Sequence, residues 1–263
     1  MAEFIGSDQA MTLQQNLRDR QPEIGKTPSL ANGGRILHVL NPEEIGWGTL
    51  REIAEQDGII GFPLVQAEQT IAQIKEHLGA RWETPKWLVY RGARAQVLKA
   101  CSEVQFAATL PEGWQVAHHI TPSDQVITEV QELNLNTGVA PYPAYYMKSE
   151  AVPVLTSFIR DDLGSVVATA SVADRYHPQG RLAGHVFAGM VSVGATYRGR
   201  GLGKLINALA LIESAERFNW EVATEHVAAD NPASRAMIAA CGLDEAEGLR
   251  SVIAMRPGEV FTR

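Results

Sequence analysis

The stretch of this chain best equipped for chemistry is Val191-Ser192-Val193-Gly194-Ala195-Thr196-Tyr197-Arg198-Gly199-Arg200-Gly201-Leu202-Gly203-Lys204. A β-branched run ends, a tight, basic, glycine-rich turn follows, and an amphipathic helix begins. Such a turn gathers unpaired backbone N–H groups at the positive end of a helix dipole. That is an anion site, suited to a pyrophosphate. An anion there typically gains about 0.3–1 kcal/mol from the dipole. Glycines at 199, 201 and 203 let oxygens approach the backbone, and Arg198, Arg200 and Lys204 add positive charge. The spacing is not that of a nucleoside-triphosphate loop, because Leu205 follows Lys204 and Arg198 stands five residues before Gly203. It is not a dinucleotide fingerprint either, since Lys204, Leu205 and Ile206 follow Gly203.

Other reactive residue types are less organised. His118-His119 is a vicinal pair at a strand end; strand neighbours face opposite ways, so a shared metal is disfavoured. Asp161-Asp162 reads as a turn. Cys101 and Cys241 are the only cysteines, with no activating histidine nearby in sequence, no disulfide framework and no CxxC knuckle. HExxH, GxSxG and SxxK are absent. No metal is expected.

The elements that must position the turn sit in an ordinary globular chain. It has 263 residues, 45% hydrophobic and 20% charged, enough for one large domain or two modest ones. A net charge of −7 disfavours a nucleic-acid partner. No apolar run is long enough for a membrane helix, and residues 1–20 lack the pattern of a secretory signal. The cysteine usage fits a reducing, cytoplasmic setting. Met1–Ala10 reads either as a leader with Met11 as the natural start or as a frayed native tail, and residues 1–34 as a polar tail outside the fold.

Two halves differ in texture. Residues 35–112 read as a small αβ domain. It has a short strand over 36–40 and a helix over 42–56 closed by Asp57-Gly58. A second helix spans 68–78, a strand 87–90 and a helix 93–101. Pro111-Glu112-Gly113 punctuates the chain. From Trp114 to Arg263 come a strand over 114–118, a helix over 122–133 and an irregular loop over 135–146. Strands over 152–160, 165–173 and 185–193 follow. A helix over 201–217, a strand over 220–227, a helix over 232–240 and a last strand over 252–255 complete the pattern.

Arg198-x-x-Gly201-x-Gly203, after a Val-x-Val strand and before a helix, resembles the acyl-CoA-binding motif of the GNAT superfamily of N-acetyltransferases. Val227-Ala-Ala-Asp-Asn231-Pro-Ala-Ser234, then Cys241-Gly242-Leu243, resembles the family's strand–Asn–helix–"GF" element, with Leu for Phe. The ordered pair covers residues 114–263. The resemblance implies an α/β fold: a mixed, mainly antiparallel sheet with splayed central strands, flanked by helices. Residues 35–112 would be an αβ extension, or a degenerate copy of the same half. It further implies acetyl-CoA as acyl donor. The backbone at Val191 and Val193 would pair with the pantetheine. The segment Arg198, Gly199, Arg200, Gly201, Leu202, Gly203 and Lys204 would hold the pyrophosphate. Asn231 and Ser234 would contact the pantetheine or the CoA tail; Asn231 also reads as a helix-start residue and Ser234 as a helix hydroxyl.

The implied reaction is direct attack of a small molecule's primary amine on the thioester. The family's general-acid tyrosine position is Ile238, so Tyr145 and Tyr146 become substitutes, alongside a plain packing role. Glu225 is the first base candidate and His226 the next; strand alternation lets only one of them face the splay. A homodimer is left open. Two alternatives stand beside acetyl transfer: an amino-acid N-acyltransferase using a longer acyl-CoA, and a non-catalytic acyl-CoA sensor.

Overall fold

The computed structural model describes residues 3–258. The elements run α1 (Asp8–Asp19), α2 (Gln21–Ile24), β1 (Leu30–Asn32), β2 (Leu37–Val39), α3 (Pro42–Ile45), α4 (Trp47–Asp57), β3 (Ile59–Gln66), α5 (Ala67–His77), β4 (Lys86–Ala93), α6 (Arg94–Phe106) and β5 (Gln115–His119). They continue as α7 (Asp124–Asn136), α8 (Ala144–Met147), β6 (Val154–Arg160), β7 (Val166–Ala173), β8 (His185–Val193), α9 (Leu202–Arg217), β9 (Val222–Val227), α10 (Pro232–Ala240) and β10 (Asp244–Met255).

All ten strands form one sheet in the order β1-β2-β3-β10-β4-β9-β8-β7-β6-β5. Pairing is antiparallel except at β2–β3 and β8–β9. Strand β4 is central to this order. It comes from the first half of the chain yet lies between β9 and β10, pairing Leu88↔Val227 through Ala93↔Val222 on one side. The site-bearing strands therefore complete their sheet with a strand from far earlier in the chain.

Alternation along the strands divides the core. Leu155, Val167, Val186 and Ala223 face α6, α9 and α10. Phe158, Ala173 and Met190 face α7 and α8. Over the β3–β10 end, Ile60, Phe62, Val252 and Ala254 pack under α4 and α5, whereas Ile59, Ile253 and Met255 pack under α1.

The stretch 8–32, which the sequence pattern leaves outside the fold, is built into it. Leu17 is fully buried, worth about 1.5–3 kcal/mol for a side chain of its size. Arg20 and Asn16 both bind the buried Asp57 carboxylate at the end of α4. Other elements depart from the sequence reading for local reasons. The expected helix over 42–56 breaks at Gly46, whose φ of +86° no helix continues through. The helix expected from Pro122 starts at Asp124, because Ser123 caps it, and it runs on to Asn136. The loop over 135–146 ends in α8, and the last strand is Asp244–Met255 rather than four residues. Strand β3 is an apolar run buried on both faces, which shows no alternation to read.

Arg181, in the β7–β8 loop, clamps the two halves. Its guanidinium donates to the carbonyls of Leu40 at 3.0 Å, Leu64 at 3.0 Å and Pro63 at 2.9 Å. We expect Arg181→Ala to lower stability by about 2 kcal/mol in urea unfolding, with fluorescence and circular dichroism following one shared transition, since three buried carbonyls lose a charged donor.

Candidate functional site

The site begins where a ladder stops. Strands β8 and β9 pair in parallel at only three positions, His185↔Val222, Val186↔Ala223 and Phe187↔Thr224. Beyond Phe187 the strands run on to Val193 and Val227 without each other. A bulge helps: Thr169 opposes Ser192 but Ser171 opposes Gly189, so β8 carries an extra residue. Met190 takes it up at φ +58°, a left-handed conformation that costs a side-chain-bearing residue of order 1–3 kcal/mol. The fork opens into a cleft of about 330 Å³. Val191, Glu225, His226, Asn231, Ser234, Met237 and Ile238 are among the residues that line it.

At the rim stands the start of α9. Gly201 occupies the cap position at φ +79°, and no side chain caps the first-turn amides. A Cβ at Gly199 or Gly201 would meet nothing within 4 Å, so these backbone groups face open space. A Cβ at Gly203 would lie 3.5 Å from Val193 and 3.6 Å from Met237, which ties the helix start to β8 and to the cleft wall. The loop is anchored from below. Tyr197 donates its hydroxyl to Asp161 at 2.8 Å, and Trp114 packs edge-on against the ring. Asp161 also accepts from the amides of Leu163 and Ser165. These bonds, the Tyr197 hydroxyl first, hold its carboxyl below the usual range. Arg198 turns back to the Val193 carbonyl and Arg200 lies over the Tyr197 ring. Asn231 caps α10, its side-chain oxygen accepting from the Ser234 amide at 3.0 Å. The structure thus brings Val191, Asn231 and Ser234 to the cleft, and sets Val193 and Arg198, Gly199, Arg200, Gly201, Leu202, Gly203 and Lys204 at its rim.

Among the acid–base candidates, Glu225 and His226 both line the cleft, from opposite faces of β9. Strand alternation sets their side chains on opposite faces, Glu225 toward Asn207 of α9 and His226 toward Phe187. Glu225 is buried and accepts from Asn207 Nδ2 at 2.7 Å. Burial pushes its carboxyl up to about 7, with the Asn207 bond pulling the other way. His226 lies across the strand, its ring 5.1 Å from that of Phe187. Burial, and then the charge of Arg175, press its imidazole down to about 3, so it is neutral at physiological pH.

Tyr145 and Tyr146 do not reach the cleft. Tyr146 is fully buried and donates to the Asn32 carbonyl at 2.9 Å. Tyr145 packs against Phe4 and Arg18. Both are packing residues of the second core cluster, and burial holds both phenols above their ordinary range. Ile238 is buried in the cleft wall where a tyrosine was sought. Cys101 and Cys241 are buried, and a bond to Cys241, then burial, push the Cys101 thiol up, leaving it unreactive. His118 meets Ser157 at 2.8 Å in a structural contact.

Three residues of the cleft were missed: Arg35, His38 and Arg175. Each sits in or beside an apolar strand segment, and only the presence of a charged side chain there could have flagged it. Nothing in their spacing joins them, because 137 residues separate His38 from Arg175.

The fold is one shared with solved GNAT structures. Residues 127–243 match the model of the Acetyltransferase (GNAT) family, so this part of the chain is a GNAT domain. No curated protein matches the sequence. Among solved structures, a GCN5-related N-acetyltransferase from Kribbella flavida is 17% identical, with TM-score 0.55 over 84% of this chain and 78% of that one. A tandem GNAT protein from the clavulanic acid biosynthesis pathway is also 17% identical, with TM-score 0.56 over 87% and 78%. A Drosophila protein is 16% identical, with TM-score 0.58 over 98% and 92%. At these identities the likeness is one of fold, and it extends well into the first half of the chain.

Glu225 gives a stability test with a defined sign. Its carboxyl titrates near 7 in the fold against 4.5 when free. Below the free value both states are protonated and nothing is lost. As pH rises the unfolded chain ionises first, and stability falls until the folded carboxyl ionises too. We expect Glu225→Gln, which can also donate to the unpartnered Asn207 Oδ1, to gain on the wild type by on the order of 2–3 kcal/mol between pH 4 and pH 7.5 in urea unfolding.

Proposed function

We propose that the protein is an N-acyltransferase that moves an acetyl group from acetyl-CoA to the primary amine of a small molecule. The observation that carries this reading is the conjunction of two open backbone features: the unpaired edges of β8 and β9, and the uncapped start of α9 beside them. The donor supplies an activated thioester. Toward it, the amides of residues 199–204 would take the diphosphate, with Arg198, Arg200 and Lys204 adding charge. The unpaired backbone of Val191 and Val193 would run along the pantetheine, and Asn231 and Ser234 would flank it. The donor's fit is supported by Gly199 and Gly201, where a Cβ would find empty space.

Glu225 would take the amine's proton. A base is most useful when its pKa lies near the working pH, and a carboxyl at about 7 meets that condition, whereas an imidazole at about 3 is too weak. No tyrosine hydroxyl lines the cleft among the described residues, so the same carboxyl, protonated by the amine, would return that proton to the departing thiolate. Positioning in the narrow fork supplies the remainder of the rate.

Two measurements test the reading. Calorimetry should find saturable CoA binding to the wild type, abolished in Gly201→Glu, which sets a carboxylate at the diphosphate's place, and only weakened in Gly201→Ala, which adds backbone strain alone. Undiminished CoA affinity in Gly201→Glu sinks the assignment. Thiol release from acetyl-CoA over an amine panel should give a kcat/KM that rises with pH through about 7. Glu225→Gln should lose about 10²–10⁴-fold and flatten that limb.

A further inference from the structure

We infer that the acceptor amine also carries a carboxylate, held by Arg175 on the side of the fork opposite Glu225. This rests on the acyl-transfer reading for the identity of the cleft, and adds the chemical class of the second substrate.

The observation is a buried cation with no counter-charge among the described residues. Arg175 lies just past the end of β7, after Asp174; it is 5% exposed and borders the cleft. Its guanidinium lies 3.9 Å from the centre of the Phe187 ring, and Phe187 is the last residue of β8 paired to β9. The charge therefore stands at the crotch of the fork. Its one hydrogen-bond partner among the described residues is the Tyr176 hydroxyl at 3.1 Å, and its Nε has none. No carboxylate pairs with it among the described residues; Asp174, its chain neighbour, is shifted by burial alone. A guanidinium in such a place is costly until an anion joins it.

The surroundings extend the pattern. Arg35 borders the same cleft, with its guanidinium over the Tyr142 ring. His38 Nδ1 and His226 Nε2 are buried without partners around it. Burial, and then the cationic neighbours, keep both imidazoles neutral, so they can donate or accept without adding charge. Trp87, Phe187, Ile36 and Ile253 supply apolar wall. The Arg175 guanidinium, two neutral imidazoles and a lining that is about half apolar form a receptor for one oxyanion on a small organic body. Arginine's planar fork matches a carboxylate in two parallel bonds. With the carboxylate on Arg175 at the crotch, an amine a short spacer away reaches the open part of the fork, where Glu225 lies across β9. The acceptor is thus an amino acid or a short amino-carboxylate, not a plain alkylamine or polyamine, whose second cation would meet Arg175 and Arg35.

The test compares matched acceptors on the full chain with acetyl-CoA. Glycine, β-alanine and 4-aminobutanoate, with the common α-amino acids, are assayed by thiol release against the primary amides of the same compounds. Amidation should cost the best acceptor about 100-fold or more in kcat/KM, the scale on which a site built for one polar group rejects its neutral analogue. Arg175→Gln should raise KM for the acid about tenfold or more and bring acid and amide toward parity, while Arg175→Lys keeps part of the preference. CoA affinity by calorimetry should be the same in both variants. Equal use of acid and amide by the wild type overturns the inference, as does an unchanged ratio in Arg175→Gln. A second readout does not need turnover or a folded variant. Titrating wild-type protein with the same amino acids and with benzoate should shift the imidazole signals of His38 and His226 in nitrogen-correlated spectra. Absence of any carboxylate-dependent shift at millimolar concentration overturns the inference. Loss of CoA binding with those shifts intact overturns the acyl-transfer reading and leaves the carboxylate site standing.

Discussion

The molecule turns on a hydrogen-bond ladder that is broken on purpose. A parallel strand pair inside a sheet normally continues until one strand ends, because an unpaired backbone amide within a protein is expensive. Here β8 and β9 part after three pairs, while both strands go on. Their edges leave backbone groups unpaired along the cleft, which in the acyl-transfer reading would meet the donor's amides. The strained Met190 and its bulge keep the gap from closing. The uncapped start of α9 lies at one end of the gap and a buried guanidinium at the other.

Holding two strands apart requires that each be secured on its far side. Strand β8 leans on β7, and β9 on β4. Because β4 belongs to the first half of the chain, the open geometry depends on residues far from either sequence motif. Arg181 reinforces that dependence by gripping three carbonyls around β2 and β3. The first half also brings His38 and Arg35 to the cleft. It is part of the site's wall as well as of its frame.

The two faces of β9 divide the electrostatics. On the helix side, an isolated buried carboxyl is driven toward neutrality near physiological pH. On the other side, cations and burial drive imidazoles to their neutral form. One strand thus separates a group that exchanges protons from a chamber that attracts negative charge. In the acyl-transfer reading these become the base and the acceptor's anchor. The tyrosines of α8 stand apart from both groups: they fill the core, with one hydroxyl already committed to Asn32.

What the residues determined unaided was local. Gly199, Gly201 and Gly203 before an amphipathic run specify a strand–turn–helix with open amides, since only glycine takes φ near +79° without strain. Asn231-Pro232 specifies the start of α10, and apolar and β-branched runs bounded by turn residues specify β6 through β8. These signals lie within a few residues of one another, where spacing and backbone preference suffice. The rest needed the third dimension. Strand β3 is apolar on both faces and has no period to read. The place of β4 between β9 and β10 is a matter of topology, to which composition is blind. That Glu225 and His226 both border the cleft follows from the lost partner on one side of β9. Arg175, His38 and His226 meet only because the sheet folds distant segments onto one fork, and burial, which no sequence window records, is what holds the two imidazoles neutral.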